Sequence, residues 1–149
     1  MREYLQFYIN GEWVDPVRPH PHDVINPATE EVCAHISLGS EEDVHFADSV
    51  PAEALDRAVA AARTAFETWG YSSREERIAV LESCVATYEK YYNDMADAIR
   101  EEMGAPRSLA VSSQAHAGLG HLQEALRVLR DFPFEEDLGE HRVVKEPIG

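Results

Sequence analysis

The sequence predicts a mainly α-helical chain: three helices, preceded by a β-hairpin and short strands and followed by a C-terminal edge strand. Three observations carry that expectation. Asn10-Gly11 sits between aromatic and β-branched residues in FYINGEWV. From Leu55 to Met103 apolar residues recur at spacings of three and four. Gly70, Gly104 and Pro106 interrupt that pattern where helices stop and start.

In chain order, Asn-Gly is favoured at the two central positions of a type I′ turn, where φ is positive, so residues 7–14 are expected to form a hairpin. DPVRPHPHD (15–23) carries Pro16, Pro19 and Pro21 and reads as a loop. VINPATEEVCAHIS (24–37) reads as strand, turn, strand, with Asn26-Pro27 starting the turn. The acidic stretch 39–55 is irregular, and Pro51 suits the first turn of a helix. A first helix over 51–69 puts Leu55, Ala58, Val59, Ala62, Phe66 and Trp69 on one face. Ser72 and Ser73 each have a glutamate three residues on, a capping box in either register. The helix it opens is expected to run unbroken to about Met103. A third helix follows over about 106–131, weakened by Gly118 and Gly120, whose small size suggests close approach of another element. FPFEEDLGE (132–140) reads as a turn and HRVVKEPIG as a closing strand. The organisation expected is an N-terminal hairpin and strand segment (1–38), an acidic loop (39–56), a three-helix segment (51–131), and a turn with the start of a strand (132–149).

Apolar residues make up 44% of the 149, enough for a globular chain rather than a disordered one. A formal net charge of −15 argues against nucleic acid and against an anionic membrane surface, both of which call for clustered Lys and Arg. No run approaches the ~20 apolar residues of a bilayer span. The first 30 residues lack the cationic start and apolar run of a secretory leader. With only Cys33 and Cys84, no disulfide framework is expected, and a cytoplasmic location is.

Single residues offer little chemistry. GLGHLQ (118–123) begins like a dinucleotide fingerprint but has Gln123 at its third glycine position and lies inside a helical pattern, whereas pyrophosphate needs a strand–turn–helix. His121 and Glu124 have the spacing of some metal-binding pairs but do not close a site, and a surface pair is the plain reading. His20, His22 and Asp23 fit a solvated loop better than a metal site. His116 is assigned no role. Cys33 and Cys84 read as small buried hydrophobes rather than nucleophiles. The acidic runs 41–43 and 135–137 read as solvated turns.

The order of segments says more. YINGEWV, VINPATEEVCAHISLGS, DRAVAAARTAFETW, REERIAVL, EEMGAP, FPFEE and VVKEPIG follow one another in a way that resembles the N-terminal part of the aldehyde dehydrogenase superfamily across nearly the whole chain. HFADSVPAEAL (45–55) departs from that pattern as an insertion. The resemblance implies an α/β fold family. Full-length relatives would oxidise an aldehyde with NAD(P), a cysteine thiolate attacking the carbonyl and a glutamate activating water. In them the nucleotide-binding sheet, catalytic cysteine and catalytic glutamate follow the EPIG stretch. The expectation is therefore a truncated or split piece, inactive alone and taking no cofactor by itself. Neither Cys33 nor Cys84 matches the nucleophile's context.

The resemblance also implies that backbone oxygens of Ile25 and Glu102 contribute to a monovalent cation site, here weak or empty. His121 or Leu122 would stand near the substrate tunnel. The last strand would pair subunits, implying self-association or a complementary dehydrogenase chain. A second reading makes the chain a complete, non-catalytic interaction module. A third, an unrelated helical binding protein, is disfavoured by residues 1–38, which no helical bundle demands.

Overall fold

The structure is a computed structural model that describes residues 2–40, 43 and 53–147. The chain divides into two compact units: Met1–Phe66 with Glu101–Ala105, and Glu67–Arg100 with Pro106–Gly149. Pro51 and most of the expected 45–55 insertion lie outside the described residues.

Among its described residues the first unit holds five strands: β1 (Arg2–Tyr4), β2 (Phe7–Ile9), β3 (Glu12–Val14), β4 (Pro21–Asn26) and β5 (Glu31–Ser37). β2 and β3 form the expected hairpin, pairing Ile9 with Glu12. Asn10 (φ 53°) and Gly11 (φ 83°) supply the two positive φ angles that the tight turn needs. Across it Tyr8 faces Trp13 with ring centroids 5.1 Å apart, an aromatic pair that adds to the ladder. β4 and β5 are antiparallel around the turn at 27–30, with an irregularity between Val24 and Ile25. Asn26 builds that turn, its Oδ1 accepting from the Ala28 N–H at 2.9 Å and its carbonyl from the Glu30 N–H at 2.8 Å.

One expectation is corrected here, and one strand was not expected at all. β4 starts at Pro21, so His22 and Asp23 belong to a strand rather than to the loop; Pro21 is tolerated as the first residue of an edge strand. β1 pairs parallel with β5, giving the sheet order β1-β5-β4. Nothing in Arg2-Glu3-Tyr4 signals a strand, because that pairing is set by a partner thirty-two positions away, Arg2 lying opposite Ala34.

Helix α1 (Glu53–Trp69) ends just before Gly70, as expected. Its predicted apolar face is incompletely covered: Leu55, Ala58 and Phe66 are half-buried, while Val59 and Trp69 keep 41% and 48% of their surface exposed.

In the second unit, α2 (Arg74–Lys90) opens on the Ser73/Glu76 register of the capping box. The Glu76 carboxylate accepts from the Ser73 backbone N–H at 2.7 Å and from its hydroxyl, and these bonds hold its carboxyl below the usual range. The expected single helix to Met103 is instead two. Tyr91 leaves helical geometry (φ −102°, ψ 17°), and α3 (Tyr92–Met103) follows. Neither Gly nor Pro marks that break, so periodicity runs straight through it.

The third expected helix keeps its outer bounds but not its interior. After Pro106 come α4 (Arg107–Leu109), a π-helical turn (Ala110–Gln114) and α5 (Ala115–Asp131). Arg74, in the first turn of α2, donates to the carbonyls of Arg130 (2.8 Å) and Phe132. A guanidinium thus satisfies orphan carbonyls at the end of α5 and complements its dipole. The acidic 135–137 run is not a turn. It is strand β6 (Glu135–Asp137), antiparallel to β7 (Arg142–Val144), with Glu135 paired to Arg142 and Glu136 to Lys145. The closing strand therefore has one edge occupied, where the sequence suggested a bare one.

Each unit's core is small. Among the described residues the buried apolar side chains are Ile9, Ala34, Ala54 and Ala105 in the first unit and Ala96, Ala110, Ala115 and Leu126 in the second, and no large side chain is fully buried. α2 contributes no buried residue, and Ile78, Leu81 and Val85 on its apolar face are only half-buried. Each such side chain forfeits part of the ~1.5–3 kcal/mol that full burial would contribute. Among the described residues no helix is long and apolar enough to cross a membrane.

Candidate functional site

On α2, the residues Cys84, Thr87 and Tyr88 share a face with Tyr91 and with Met95 of α3, at helical spacings of three and four. Leu122 of α5 closes this face into a groove of about 430 Å³. The lining is mostly apolar, and its residues carry the Ser83, Thr87, Tyr88 and Tyr91 hydroxyls and the Cys84 thiol. Of the two residues expected near a substrate tunnel, Leu122 lines the groove and His121 is exposed and does not.

Cys84 is exposed rather than buried, a correction: the helix face it shares is a groove wall, not a core. Among the described residues no histidine or carboxylate lines that groove, so none of them stands ready as a base to take a thiol proton there. Cys33 is half-buried in β5, its Sγ donating to the Val24 carbonyl at 3.3 Å, close to the small structural residue expected.

The remaining polar candidates separate. Glu124 is taken by Arg127, two bonds of 2.6 and 2.8 Å, and the guanidinium's hydrogen bonds lower the carboxyl's pKa. Asp23 pairs across the sheet with His35 at 3.1 Å. Among the described residues no three metal-ligating side chains come together. His116 is exposed on α5. Gly118 and Gly120 lie inside α5, their backbone committed to the helix, and a Cβ on Gly118 would overlap the Tyr88 hydroxyl while Gly120 meets nothing. The close approach expected of both glycines holds for the first alone. That segment does not fit a pyrophosphate.

Residues 41 and 42 of the first acidic run lie outside the described residues, but Asp43 is 3% exposed, not solvated. Burial alone would raise its pKa. Bonds from the Ser40 N–H (2.8 Å) and hydroxyl (2.7 Å) and from the Val17 N–H (3.0 Å) outweigh burial and lower it.

Ile25 precedes the 26–30 turn and Glu102 sits in the last turn of α3, where helix carbonyls lack intrahelical partners. Gly104 (φ 68°) ends α3 against that turn: a Cβ there would lie 2.9 Å from the Ala28 nitrogen and 3.0 Å from Pro27 Cγ. The two segments are thus neighbours. Sequence reading missed Asp43, the Arg74 cap and the hydroxyl bonds of Tyr88 and Tyr92 to α5 and the π-turn. Only Gly118 hinted at the last of these.

A profile of the aldehyde dehydrogenase family matches residues 13–149. The chain is 47% identical over 150 residues to a 3-succinoylsemialdehyde-pyridine dehydrogenase of Pseudomonas sp., covering 100% of this chain and 29% of that protein. It is 42% identical over 149 residues to a putative aldehyde dehydrogenase of Staphylococcus epidermidis, with the same coverage. Among solved structures, an aldehyde dehydrogenase from Bartonella henselae superposes with a TM-score of 0.82 at 41% identity, over 94% of this chain and 27% of that one. An aldehyde dehydrogenase C mutant from Pseudomonas syringae, complexed with NAD+ and octanal, gives a TM-score of 0.80 at 36% identity, over 92% and 26%. The chain spans 29% of the length of these curated relatives.

Proposed function

The chain belongs to the aldehyde dehydrogenase family, and from that premise we propose that it supplies the N-terminal segment of an NAD(P)-dependent aldehyde-oxidising enzyme without turning over substrate by itself. The nicotinamide, when bound, accepts hydride. No residue of this chain is assigned to that step, since its one glycine-rich stretch lies within a helix. The observation that carries the reading is the pairing of whole-chain resemblance with cysteines that have no catalytic setting: Cys84 faces a groove without a base, and Cys33 is tied to a strand carbonyl. This segment's contribution is apolar: α2, α3 and α5 present the Leu122 groove as one wall for an aldehyde's carbon chain, with His121 outside it.

The purified 149-residue chain, given NAD+ or NADP+ and a panel of aldehydes, is expected to show no absorbance gain at the reduced-nicotinamide band above background. Turnover that disappears in Cys84→Ala would overturn the reading. An interaction module pairing with its own copy or with a complementary dehydrogenase chain is the second reading, favoured by the outward side chains Val143 and Val144 of β7. Light scattering decides it: a strict monomer at high concentration removes its support.

Within the same reading, the backbone oxygens of Ile25 and Glu102 help hold a monovalent cation weakly. Replacing tetramethylammonium chloride by sodium or potassium chloride at equal ionic strength is expected to raise the melting temperature by about 1–2 °C, the shift for a site near half-saturation. Identical melting in all three salts would remove the site.

A further inference from the structure

The π-turn between α4 and α5 has a visible cause. The Ala115 N–H bonds to the Ala110 carbonyl, one residue further back than an α-helix would allow. Its α-helical partner would have been the Val111 carbonyl. That oxygen instead accepts the Tyr92 hydroxyl at 2.6 Å. At the other end of the turn the Ala115 carbonyl accepts the Tyr88 hydroxyl at 3.0 Å. Before it, the Ser108 carbonyl accepts the Ser112 hydroxyl at 2.7 Å. Three hydroxyls thus serve the carbonyls around the turn. Tyr88 and Tyr92 stand edge to face, ring centroids 6.3 Å apart, and Ala110 and Ala115 are 0% exposed. Tyr88 can lie this close only because residue 118 is glycine.

A π-turn holds one residue more than the α-turn it replaces. Every residue after it therefore occupies the place that its predecessor would take in an unbroken α-helix, a rotation of about 100°. In a plain helix the groove position would fall to residue 121; with the π-turn it falls to Leu122.

We propose that Tyr92 and Tyr88 are positioning residues that hold the π-turn and so choose Leu122 over His121 as the α5 side chain facing the groove. This rests on the reading of that groove as part of an aldehyde-binding wall, where the choice exchanges an apolar contact for an imidazole and so bears on which substrates fit.

The test reads helix phase and needs neither aldehyde nor NAD(P), so its failure is separate from failure of that reading. In a Cys33→Ser, Cys84→Ser background, Leu122→Cys and His121→Cys are made singly and their maleimide-labelling rates are compared. With both tyrosines present, residue 122 is expected to label about tenfold more slowly than 121. Tyr92→Phe removes one hydroxyl and keeps the ring. It is expected to shift the ratio toward protection of residue 121 by about fivefold, the weight of one hydrogen bond. Gly118→Ala, whose methyl displaces the Tyr88 hydroxyl while both tyrosines stay unsubstituted, is expected to shift it in the same direction and serves if Tyr92→Phe does not fold. An unchanged ratio in folded Tyr92→Phe or Gly118→Ala overturns the proposal. So does equal labelling of 121 and 122 in the parent, or loss of fold in both variants, which would show that these groups hold far more than a register.

Discussion

Asp43→Ala is expected to destabilise the chain by about 3 kcal/mol, read as a lower denaturation midpoint in urea at neutral pH. The carboxylate is 3% exposed and accepts from two backbone N–H groups and one hydroxyl. Deleting it leaves those donors without their acceptor, at about 1–3 kcal/mol for a buried polar group left unmatched. Asp43→Asn keeps the shape and one acceptor oxygen and is expected to cost about half as much. The two variants also separate charge from packing through pH. Desolvation works to raise this carboxyl's pKa, but the bonds from Ser40 and Val17 prevail and the folded value lies below the unfolded one. Its contribution is therefore complete above the unfolded carboxylate value of ~4 and is lost as pH falls through the lower folded value. The parent chain should lose stability below about pH 4 more steeply than Asp43→Asn. Equal midpoints, or parallel pH curves for parent and asparagine variant, would refute this account of Asp43.

Gly104→Ala is expected to cost about 2–4 kcal/mol. Two penalties add: about 1–2 kcal/mol for an L side chain at positive φ, and a similar amount for a methyl group pressed on backbone. The residue has φ 68°, and its Cβ would meet the Ala28 nitrogen at 2.9 Å. Backbone cannot swing aside as a flexible side-chain tip can. Gly139→Ala supplies the control. It has φ 86° but nothing within 4 Å, so only the conformational part, about 1–2 kcal/mol, should remain. Equal midpoints for the two alanine variants would show that the end of α3 does not press on the 26–30 turn in solution. A larger loss at Gly104, accompanied by loss of the sodium or potassium effect on melting, would tie the turn and the helix end to one cation site.

Wherever a signal was local, the sequence sufficed. The hairpin needed two positive φ angles and had Asn10-Gly11 to adopt them. The start of α2 needed a hydroxyl and a carboxylate three apart and had Ser73 and Glu76. The end of α3 needed a left-handed residue and had Gly104. Of the candidate site the sequence showed little: the family resemblance put His121 or Leu122 near a substrate tunnel without choosing between them, and the groove face of α2 read as core, with Cys84 as a buried hydrophobe.

What the sequence by itself determined was the hairpin, the strand–turn–strand over 24–37, the helical stretches with the cap at Ser73 and the stop at Gly104, and membership of a family, because each rests on residues close together in the chain or on their succession. Tertiary structure alone decided the parallel β1–β5 pairing, the break at Tyr91, the burial of Asp43 and the π-turn that selects Leu122. For all but the break at Tyr91 a deciding partner is remote in sequence: Ala34 for Arg2, Val17 for Asp43, Val111 for Tyr92. Periodicity records how a helix would wind alone, and a hydroxyl arriving from another helix can shift that winding by one residue without leaving a trace in the pattern.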